Sequence, residues 1–251
     1  MSSPRVGCVK YLNARPLIHG WRGQVEFDHP STLCRRLARG DVDLALVSSF
    51  EFLRNPIYRI IDGISLSSHG AVYSVVVAHR GEISKVEEIE LDPAAETSVN
   101  LLRCLLTELR LTPCLVARAT SPRGGRLLIG DQAIEFRQRH GAEFHYWDLG
   151  EQWRRIVDLP FVYALWLIRP EVGDAITIAD QLRALRDDNL GNIDEVISHE
   201  KERDHAFCRR YYRDNLRFNF GEKERRGLQR FADLCTRLGL IPKRMLKLEL
   251  V

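Results

Sequence analysis

Short apolar runs that end in polar residues recur along the first part of the chain. Residues 5–9, 42–47 and 71–78 form such runs, each bounded by charged residues, serine or glycine. Their length and nearly continuous apolar character indicate strands that are buried on both faces. Between the first two runs, residues 33–39 have helical spacing and precede Gly40, a residue typical of a helix end. The pattern predicts a parallel sheet flanked by helices.

The middle of the chain repeats this alternation. Residues 89–91, 114–119 and 126–129 are predicted strands, and a helix is expected from Thr97 to about Leu109. Residues 159–167, LPFVYALWL, carry no charge and predict a fully buried strand that returns between two lobes. From there the pattern becomes helical. The apolar stripe predicts a core-facing helix over residues 226–238.

The composition is that of an ordinary globular protein and limits the possible partners. The chain of 251 residues is 45% hydrophobic and 28% charged, with 37 basic and 34 acidic residues. This near balance of charge argues against a nucleic-acid-binding protein with one dominant basic surface. No apolar stretch approaches the about 18 residues of a membrane span, and no secretory signal is visible. We expect a cytoplasmic protein with no nucleic-acid or membrane partner.

Metal and cofactor motifs are absent from the sequence. The six cysteines are scattered without a CxxC pair, which predicts buried thiols in a reducing compartment. The segment HEKERDH has the wrong spacing for a zinc-binding HExxH motif. No phosphate-binding glycine loop, GxSxG motif or lysine within an apolar run is present. We therefore expect neither a metal nor a cofactor.

The segment YLNARPL, at residues 11–17, follows the first predicted strand. Proline suits the first turn of a helix, so Asn13 and Arg15 should lie where a helix begins. The exposed N–H groups and the positive end of the helix dipole make such a position suitable for an anion. The alternative is an ordinary connection between strand and helix in which Asn13 is the cap.

Small polar residues follow the other predicted strands as well. In open α/β sheets, ligands bind at the carboxyl ends of strands. The residues at or near these ends are Tyr11–Asn13, Ser48–Ser49, Ser67–Gly70, Ser74, Thr97–Ser98 and Gly130–Asp131. Hydroxyls and amides beside helix N-termini can bind carboxylates and hydroxyls. Together they predict a ligand cleft between two lobes.

Six segments, in order along the chain, resemble the chorismate dehydratases of menaquinone biosynthesis. They are RVGCVKYLNARPL, DVDLALVSSFEFLR, SSHGAVYSVVVAHR, LLIGDQAI, DLGEQWRRIVDLPFVYALW and YYRDNLRFNFGEKERRGLQRFADLCTRLGL. A sister family, the dihydroxynaphthoate synthases of the same pathway, shares the fold. That family carries a Pro–Asn–Asp–Thr type motif after the first strand, so YLNARPL favours the dehydratase.

The resemblance implies an α/β fold of the type II periplasmic-binding-protein kind. Each of its two lobes would be a mainly parallel sheet flanked by helices, with the ligand cleft between the lobes. We assign residues 1–78 and 169–251 to lobe 1 and residues 79–168 to lobe 2. The implied activity is that of a lyase that dehydrates chorismate to 3-[(1-carboxyvinyl)oxy]benzoate, the first step of the futalosine route to menaquinone. Its partner would be this small dicarboxylate substrate, and we expect a monomer or homodimer.

The family pattern assigns Asn13 and Ser74 to the reacting end of the substrate, as the catalytic residues. The implied substrate-binding residues are Tyr11, Arg15, Ser48, Ser49, Ser68, Gly70, Thr97, Ser98 and Asp131. Asp131 is expected mainly as a helix cap at the edge of the cleft. No side chain is marked as a general base, and one hypothesis is that a carboxylate of the substrate takes the ring proton.

The sequence departs from the family pattern at two positions. His69 stands where relatives commonly have Asp, and Glu96 stands where an Arg often precedes the Thr–Ser pair. Either Glu96 points away from the ligand, or Arg15 or Arg123 replaces the missing cation, or the ligand is a modified one. Two other functions stay open. One is a cytosolic small-anion binding protein or sensor of the same fold, and the other is a dihydroxynaphthoate synthase.

Overall fold

The computed structural model describes residues 4–92 and 95–251, and its strands form two five-stranded sheets. The strands are β1 (Val6–Cys8), β2 (Val25–Phe27), β3 (Leu44–Ser48), β4 (Arg59–Ser68), β5 (Val75–His79), β6 (Glu88–Glu90), β7 (Cys114–Val116), β8 (Gly124–Ile129), β9 (His145–Asp148) and β10 (Phe161–Ile168). The α-helices are α1 (Pro30–Arg39), α2 (Ser49–Arg54), α3 (Glu96–Glu108), α4 (Gly130–His140), α5 (Leu149–Val157), α6 (Ala175–Gly191), α7 (Ile193–Ser198), α8 (His205–Arg210) and α9 (Glu222–Arg237). Short 3-10 helices span Leu12–Leu17 and Ile83–Lys85, and a π-helical segment spans Tyr211–Asn215.

Both sheets are mixed, whereas mainly parallel sheets were predicted. The first sheet has the strand order β2-β1-β3-β10-β4, and the second has the order β7-β6-β8-β5-β9. In the first, β1 is parallel to β2 and β3, but β10 is antiparallel to β3 and β4. In the second, β6 is parallel to β7 and β8, but β5 is antiparallel to β8 and β9. In each sheet the antiparallel strand is the one that enters from the other sheet.

The chain crosses between the sheets twice, and neither crossing lies at a predicted lobe boundary. Strand β5 belongs to the second sheet although residues 1–78 were assigned to lobe 1. Strand β10 belongs to the first sheet although residues 79–168 were assigned to lobe 2. The chain therefore crosses at residues 69–74 and 158–160. The predicted boundaries differ because an apolar run shows that a strand is buried but not which sheet it joins. Below, lobe 1 is the part built on the first sheet and lobe 2 the part built on the second.

Local signals explain several helix ends. Pro30 lies in the first turn of α1, and Gly40 ends that helix in the left-handed conformation with φ of 80°. The predicted helix over residues 226–238 is present as α9, whose Glu224 carboxylate accepts a hydrogen bond from the backbone N–H of Gly221 (2.9 Å). Its apolar stripe is buried, as predicted. These buried residues belong to one apolar cluster that includes residues of both sheets.

The predicted strand over residues 71–78 begins only at Val75, because residue Tyr73 has a φ of 68° that no strand tolerates. Within the described residues, no helix combines the length and the apolar character that crossing a membrane requires.

Candidate active site

A cavity lies between the two sheets. Lobe 1 contributes residues at the ends of β1, β3 and β4 and in β10, and lobe 2 contributes the ends of β8 and the beginning of α3. The crossing segment also reaches the wall through Val72 and Ser74. The polar side chains among the lining residues are those of Tyr11, Asn13, Ser48, Ser74, Glu96, Thr97, Ser98 and Tyr163. The structure therefore places six of the predicted site residues around one cavity: Tyr11, Asn13, Ser48, Ser74, Thr97 and Ser98.

The beginnings of two helices of lobe 2 face this cavity. Ala95, which precedes α3, and Ile129, which precedes α4, both line the wall. Gly130 has a φ of 54°, and a Cβ there would lie 3.0 Å from the ring of Tyr11. This close contact seats Tyr11 beside the beginning of α4. The positive ends of both helix dipoles favour an anionic group in the cavity.

A chain of hydrogen bonds connects Asn13 with Ser74. The hydroxyl of Tyr211 donates to Ser74 Oγ (2.6 Å), and the Asn13 side chain hydrogen-bonds the same hydroxyl. Burial raises the pKa of Tyr211, so its hydroxyl stays protonated and donates. Asn13 Oδ1 is buried and has no hydrogen-bond partner among the described residues. Asn13 and Ser74 are thus linked through Tyr211 in the same wall, and the Asn13 amide oxygen is the unpartnered group of this hydrogen-bonded chain within the described residues.

Sequence reasoning missed Tyr211. It begins the π-helical segment Tyr211–Asn215, and such segments occur frequently at functional sites. The residue opens the stretch YYRDN within one of the six family-like segments, and this was the available signal.

The hydroxyl of Thr97 joins the two lobes beside the cavity. It hydrogen-bonds the hydroxyl of Ser48 in lobe 1 and accepts a hydrogen bond from the backbone N–H of Phe50 (3.2 Å). Thr97 was expected to cap its own helix, but α3 already begins at Glu96 after Ala95. Thr97 instead accepts a hydrogen bond from a backbone N–H at the beginning of α2. This contact across the cleft could not be seen in the sequence.

Glu96 is among the residues that line the cavity, which disfavours the alternative in which it points away from the ligand. Its carboxylate accepts a hydrogen bond from Arg54 Nη1 (2.6 Å), and the same guanidinium binds Glu51. Glu51, Glu96 and Cys34 could hold a metal ion by their proximity, with ligand atoms within 4.8 Å of one another. Arg54 already forms ion pairs with both carboxylates, and burial raises the pKa of the Cys34 thiol to about 12, which disfavours the metal-binding thiolate.

Neither proposed substitute for the missing cation lines the cavity. Arg15 forms an ion pair with the buried Glu200 (2.5 Å), and Arg123 pairs with Glu87 (3.2 Å). Arg15 is two residues from Asn13 in a 3-10 helix of three residues per turn, so the two side chains point to different sides. Among the described residues that line the cavity, Glu96 alone is charged.

Four other predicted residues lie behind the wall rather than on it. Ser49 Oγ donates to the carbonyl of Val162 (2.7 Å), and Ser68 Oγ donates to the carbonyl of Gly70 (3.2 Å). Asp131 accepts a hydrogen bond from the backbone N–H of Leu12 (2.9 Å). It thereby binds the first N–H of the 3-10 helix Leu12–Leu17 and holds the segment that carries Asn13.

His69, the other departure from the family pattern, also lies outside the cavity lining. Its Nε2 is 3.6 Å from Asp158 Oδ1 in the second crossing, and the side chain is partly exposed. His69 is therefore a partly exposed histidine of the crossing segment and not part of the cavity wall. Its contact joins the two crossing segments at the surface.

Comparison with known proteins identifies the family. A family model described as menaquinone biosynthesis matches residues 4–237. A protein of Thermus thermophilus named chorismate dehydratase is 32% identical to this chain, and the match covers 91% of this chain and 93% of that protein.

Solved structures agree with the two-lobed fold. A protein from Archaeoglobus fulgidus superposes with a TM-score of 0.71 at 20% identity, covering 95% of this chain and 98% of that chain. The periplasmic aliphatic sulphonate binding protein SsuA from Escherichia coli has a TM-score of 0.66 at 12% identity, covering 96% of this chain and 89% of that chain. The predicted periplasmic-binding-protein-like fold is confirmed. Because the family model and the curated relative both match most of its length, the chain belongs to the menaquinone biosynthesis family.

Proposed function

We propose that this protein is a chorismate dehydratase, which forms 3-[(1-carboxyvinyl)oxy]benzoate in the futalosine route to menaquinone. The observation that carries this proposal is the hydrogen-bonded chain Asn13–Tyr211–Ser74 in the wall of a cavity suited to anions. The activity named for the Thermus thermophilus relative supports it.

The substrate is a dicarboxylate, and the cavity offers polar groups for both of its ends. The beginnings of α3 and α4 provide positive dipole ends for a carboxylate. The hydroxyls of Ser48, Thr97 and Ser98 lie on the same lining and can donate to carboxylate oxygens. These groups hold the substrate and fix the orientation of its ring.

The reaction removes one proton and one hydroxyl group from neighbouring ring carbons and releases them as water. The electron pair of the broken C–H bond becomes the new ring double bond, and the ring becomes aromatic. Since Ser74 Oγ accepts from Tyr211, its own hydrogen is free to donate to the departing hydroxyl oxygen. Asn13 Oδ1 accepts the hydrogen of that same hydroxyl group before it leaves. The Asn13–Tyr211–Ser74 chain strengthens the donation from Ser74, because consecutive hydrogen bonds polarise one another.

The proton acceptor that we propose is a carboxylate of the substrate itself. Of the described residues on the cavity lining, Glu96 is the one carboxylate, and Arg54 already holds it. A carboxylate of the bound ligand can lie near the ring proton when the cavity fixes its orientation.

The test mixes purified protein with chorismate in the presence of EDTA and follows the products by chromatography and mass spectrometry. We expect an aromatic species one water lighter than chorismate, and at least about tenfold slower formation with the Ser74→Ala variant. Unchanged chorismate together with a raised melting temperature would instead identify a binding protein. Conversion of a cyclic futalosine derivative but not of chorismate would identify the sister synthase. The cytoplasmic location and the monomeric or dimeric state stay predictions.

A further inference from the structure

The residue before Ser74 has a strained backbone. Tyr73 has a φ of 68°, and the backbone N–H of Ser74 donates to the carbonyl of Val72 (2.8 Å). A hydrogen bond between residues two apart around a positive φ defines the rare form of the γ-turn. Such a conformation persists only where surrounding contacts impose it, and these turns cluster at functional sites.

One buried carboxylate holds this turn. Asp148 Oδ1 accepts from the N–H of Val72 (3.0 Å), and Oδ2 accepts from the N–H of Tyr73 (2.7 Å). Asp148 is only 5% exposed and also accepts from the N–H of Glu151 (3.1 Å) at the beginning of α5. The same carboxylate therefore connects that helix to the crossing segment.

Two further contacts keep the turn in place. Arg137 Nη1 donates to the carbonyl of Tyr73 (3.0 Å), and its guanidinium lies 3.8 Å from the centre of the Tyr73 ring. The beginning of α5 packs directly on the crossing segment, where a Cβ on Gly150 would come within 2.5 Å of the Gly70 carbonyl. The backbone N–H and the carbonyl of Tyr73 are thus both held from lobe 2.

We propose that Asp148 is a positioning residue for the reaction, which fixes the γ-turn at Tyr73 and thereby aims the Ser74 hydroxyl at the substrate. The inference rests on the proposed function, because it assigns Asp148 a role through Ser74. The strained turn can keep Ser74 in one orientation only while the Asp148 carboxylate accepts the N–H groups of Val72 and Tyr73. Misplacing a group by about 1 Å can cost about 100-fold in rate.

The experiment is a double-mutant cycle on chorismate turnover with Asp148→Asn and Ser74→Ala. The amide of Asn keeps the size of the side chain but replaces one acceptor oxygen with a donor that faces a backbone N–H. We expect Asp148→Asn to lower kcat by about 10- to 100-fold with KM changed less than about threefold. In the Ser74→Ala background, the same substitution should change kcat by less than about twofold. A merely structural role would lower the melting temperature and leave kcat per folded molecule unchanged.

Arg137→Gln provides a second route if Asp148→Asn does not fold. Arg137 is partly exposed, so its loss should be tolerated, and the same cycle should show a smaller loss of kcat that vanishes without Ser74. The inference would be overturned if the loss in kcat from Asp148→Asn or Arg137→Gln multiplied with that from Ser74→Ala. It would also be overturned if Asp148→Asn and Arg137→Gln both kept the parental kcat.

The outcomes for the two proposals are distinguishable. A normal loss in Ser74→Ala with an unaffected Asp148→Asn overturns the positioning role alone. An unaffected Ser74→Ala overturns both that role and the role of Ser74. If the parent protein does not convert chorismate, the proposed function fails. The double-mutant cycle of Asp148→Asn and Ser74→Ala is then measured on the shift in melting temperature that chorismate causes. Additive shifts, or no shift, then overturn the positioning role as well.

Discussion

The segments that carry Asn13 and Ser74 are both held by a carboxylate that accepts backbone hydrogen bonds, but the number of these bonds differs. Both are anchored by an aspartate of lobe 2 that accepts backbone N–H groups. Asp131 accepts one, from Leu12 (2.9 Å), and also lies 3.4 Å from the guanidinium of Arg203. Asp148 accepts three backbone N–H groups, and two of them belong to the strained turn.

The difference follows from the backbone that each aspartate has to hold. The 3-10 helix Leu12–Leu17 contains Pro16 and requires no positive φ. The turn at Tyr73 does require one, and the conformation is costly for a residue with a large side chain. The unstrained helix is held by separate single hydrogen bonds, such as those of Asp131 and Tyr212 to Leu12, whereas in the strained turn one carboxylate accepts two neighbouring N–H groups.

Tyr211 is the point at which the two segments meet, so removing its hydroxyl should have the largest effect. Tyr211→Phe leaves Ser74 Oγ and the Asn13 amide without their shared partner. Losing such a partner costs about 1–3 kcal/mol, which corresponds to roughly 5- to 150-fold in kcat/KM. Steady-state kinetics on chorismate measure the loss.

The matched control is Tyr212→Phe, which removes an adjacent buried hydroxyl that donates to the carbonyl of Leu12 (2.9 Å). This variant should lose stability to a similar extent but keep kcat within about threefold. Equal losses of kcat in both variants would show that the hydroxyl of Tyr211 has no special role in joining the two segments.

Glu96 belongs to neither segment, and its substitution should have a smaller effect. Glu96→Gln removes the carboxylate on the cavity lining while Asn13 and Ser74 stay in place. Less repulsion of the dicarboxylate substrate should lower KM by about threefold, with kcat nearly unchanged, as for a partly exposed ion pair. Glu108→Gln, at the other end of α3, makes the same charge change and should leave KM unaltered. A large fall in kcat for Glu96→Gln would instead identify Glu96 as the base.

The free energy of unfolding should depend on pH, and this effect should be the most gradual. Burial raises the pKa of both Asp131 and Asp148 above the ordinary value of 3.8. Between that value and the raised one, the folded protein binds more protons than the unfolded chain. The stability that each group contributes is therefore complete below pH 3.8 and is lost as the pH rises through its raised pKa.

Urea unfolding of the parent, Asp131→Asn and Asp148→Asn across this range measures the effect. The free energy of unfolding of the parent minus that of either variant should fall as the pH rises. A difference that grows with pH would mean that the hydrogen bonds to that carboxylate outweigh its burial.

Local patterns in the sequence predicted seven of the ten strands of the described structure and six of the residues that line the cavity, but not β2, β4 or β9. Continuous apolar runs identified the buried strands, and the helical stripe over residues 226–238 identified α9, because burial imposes these periods directly. Asn13 and Ser74 were found because polar residues at strand ends and the family-like segments point to them. Such signals are local, so a single sequence carries them.

Which elements meet was visible in the three-dimensional structure alone. It placed β5 and β10 in the opposite sheets from those predicted, turned Arg15 toward Glu200, and made Thr97 a contact between the lobes. It also brought Tyr211 and Asp148 to Ser74 from 137 and 74 residues away. Sheet pairing and hydrogen bonds over such separations depend on how the lobes pack, and no local pattern of side chains encodes that packing.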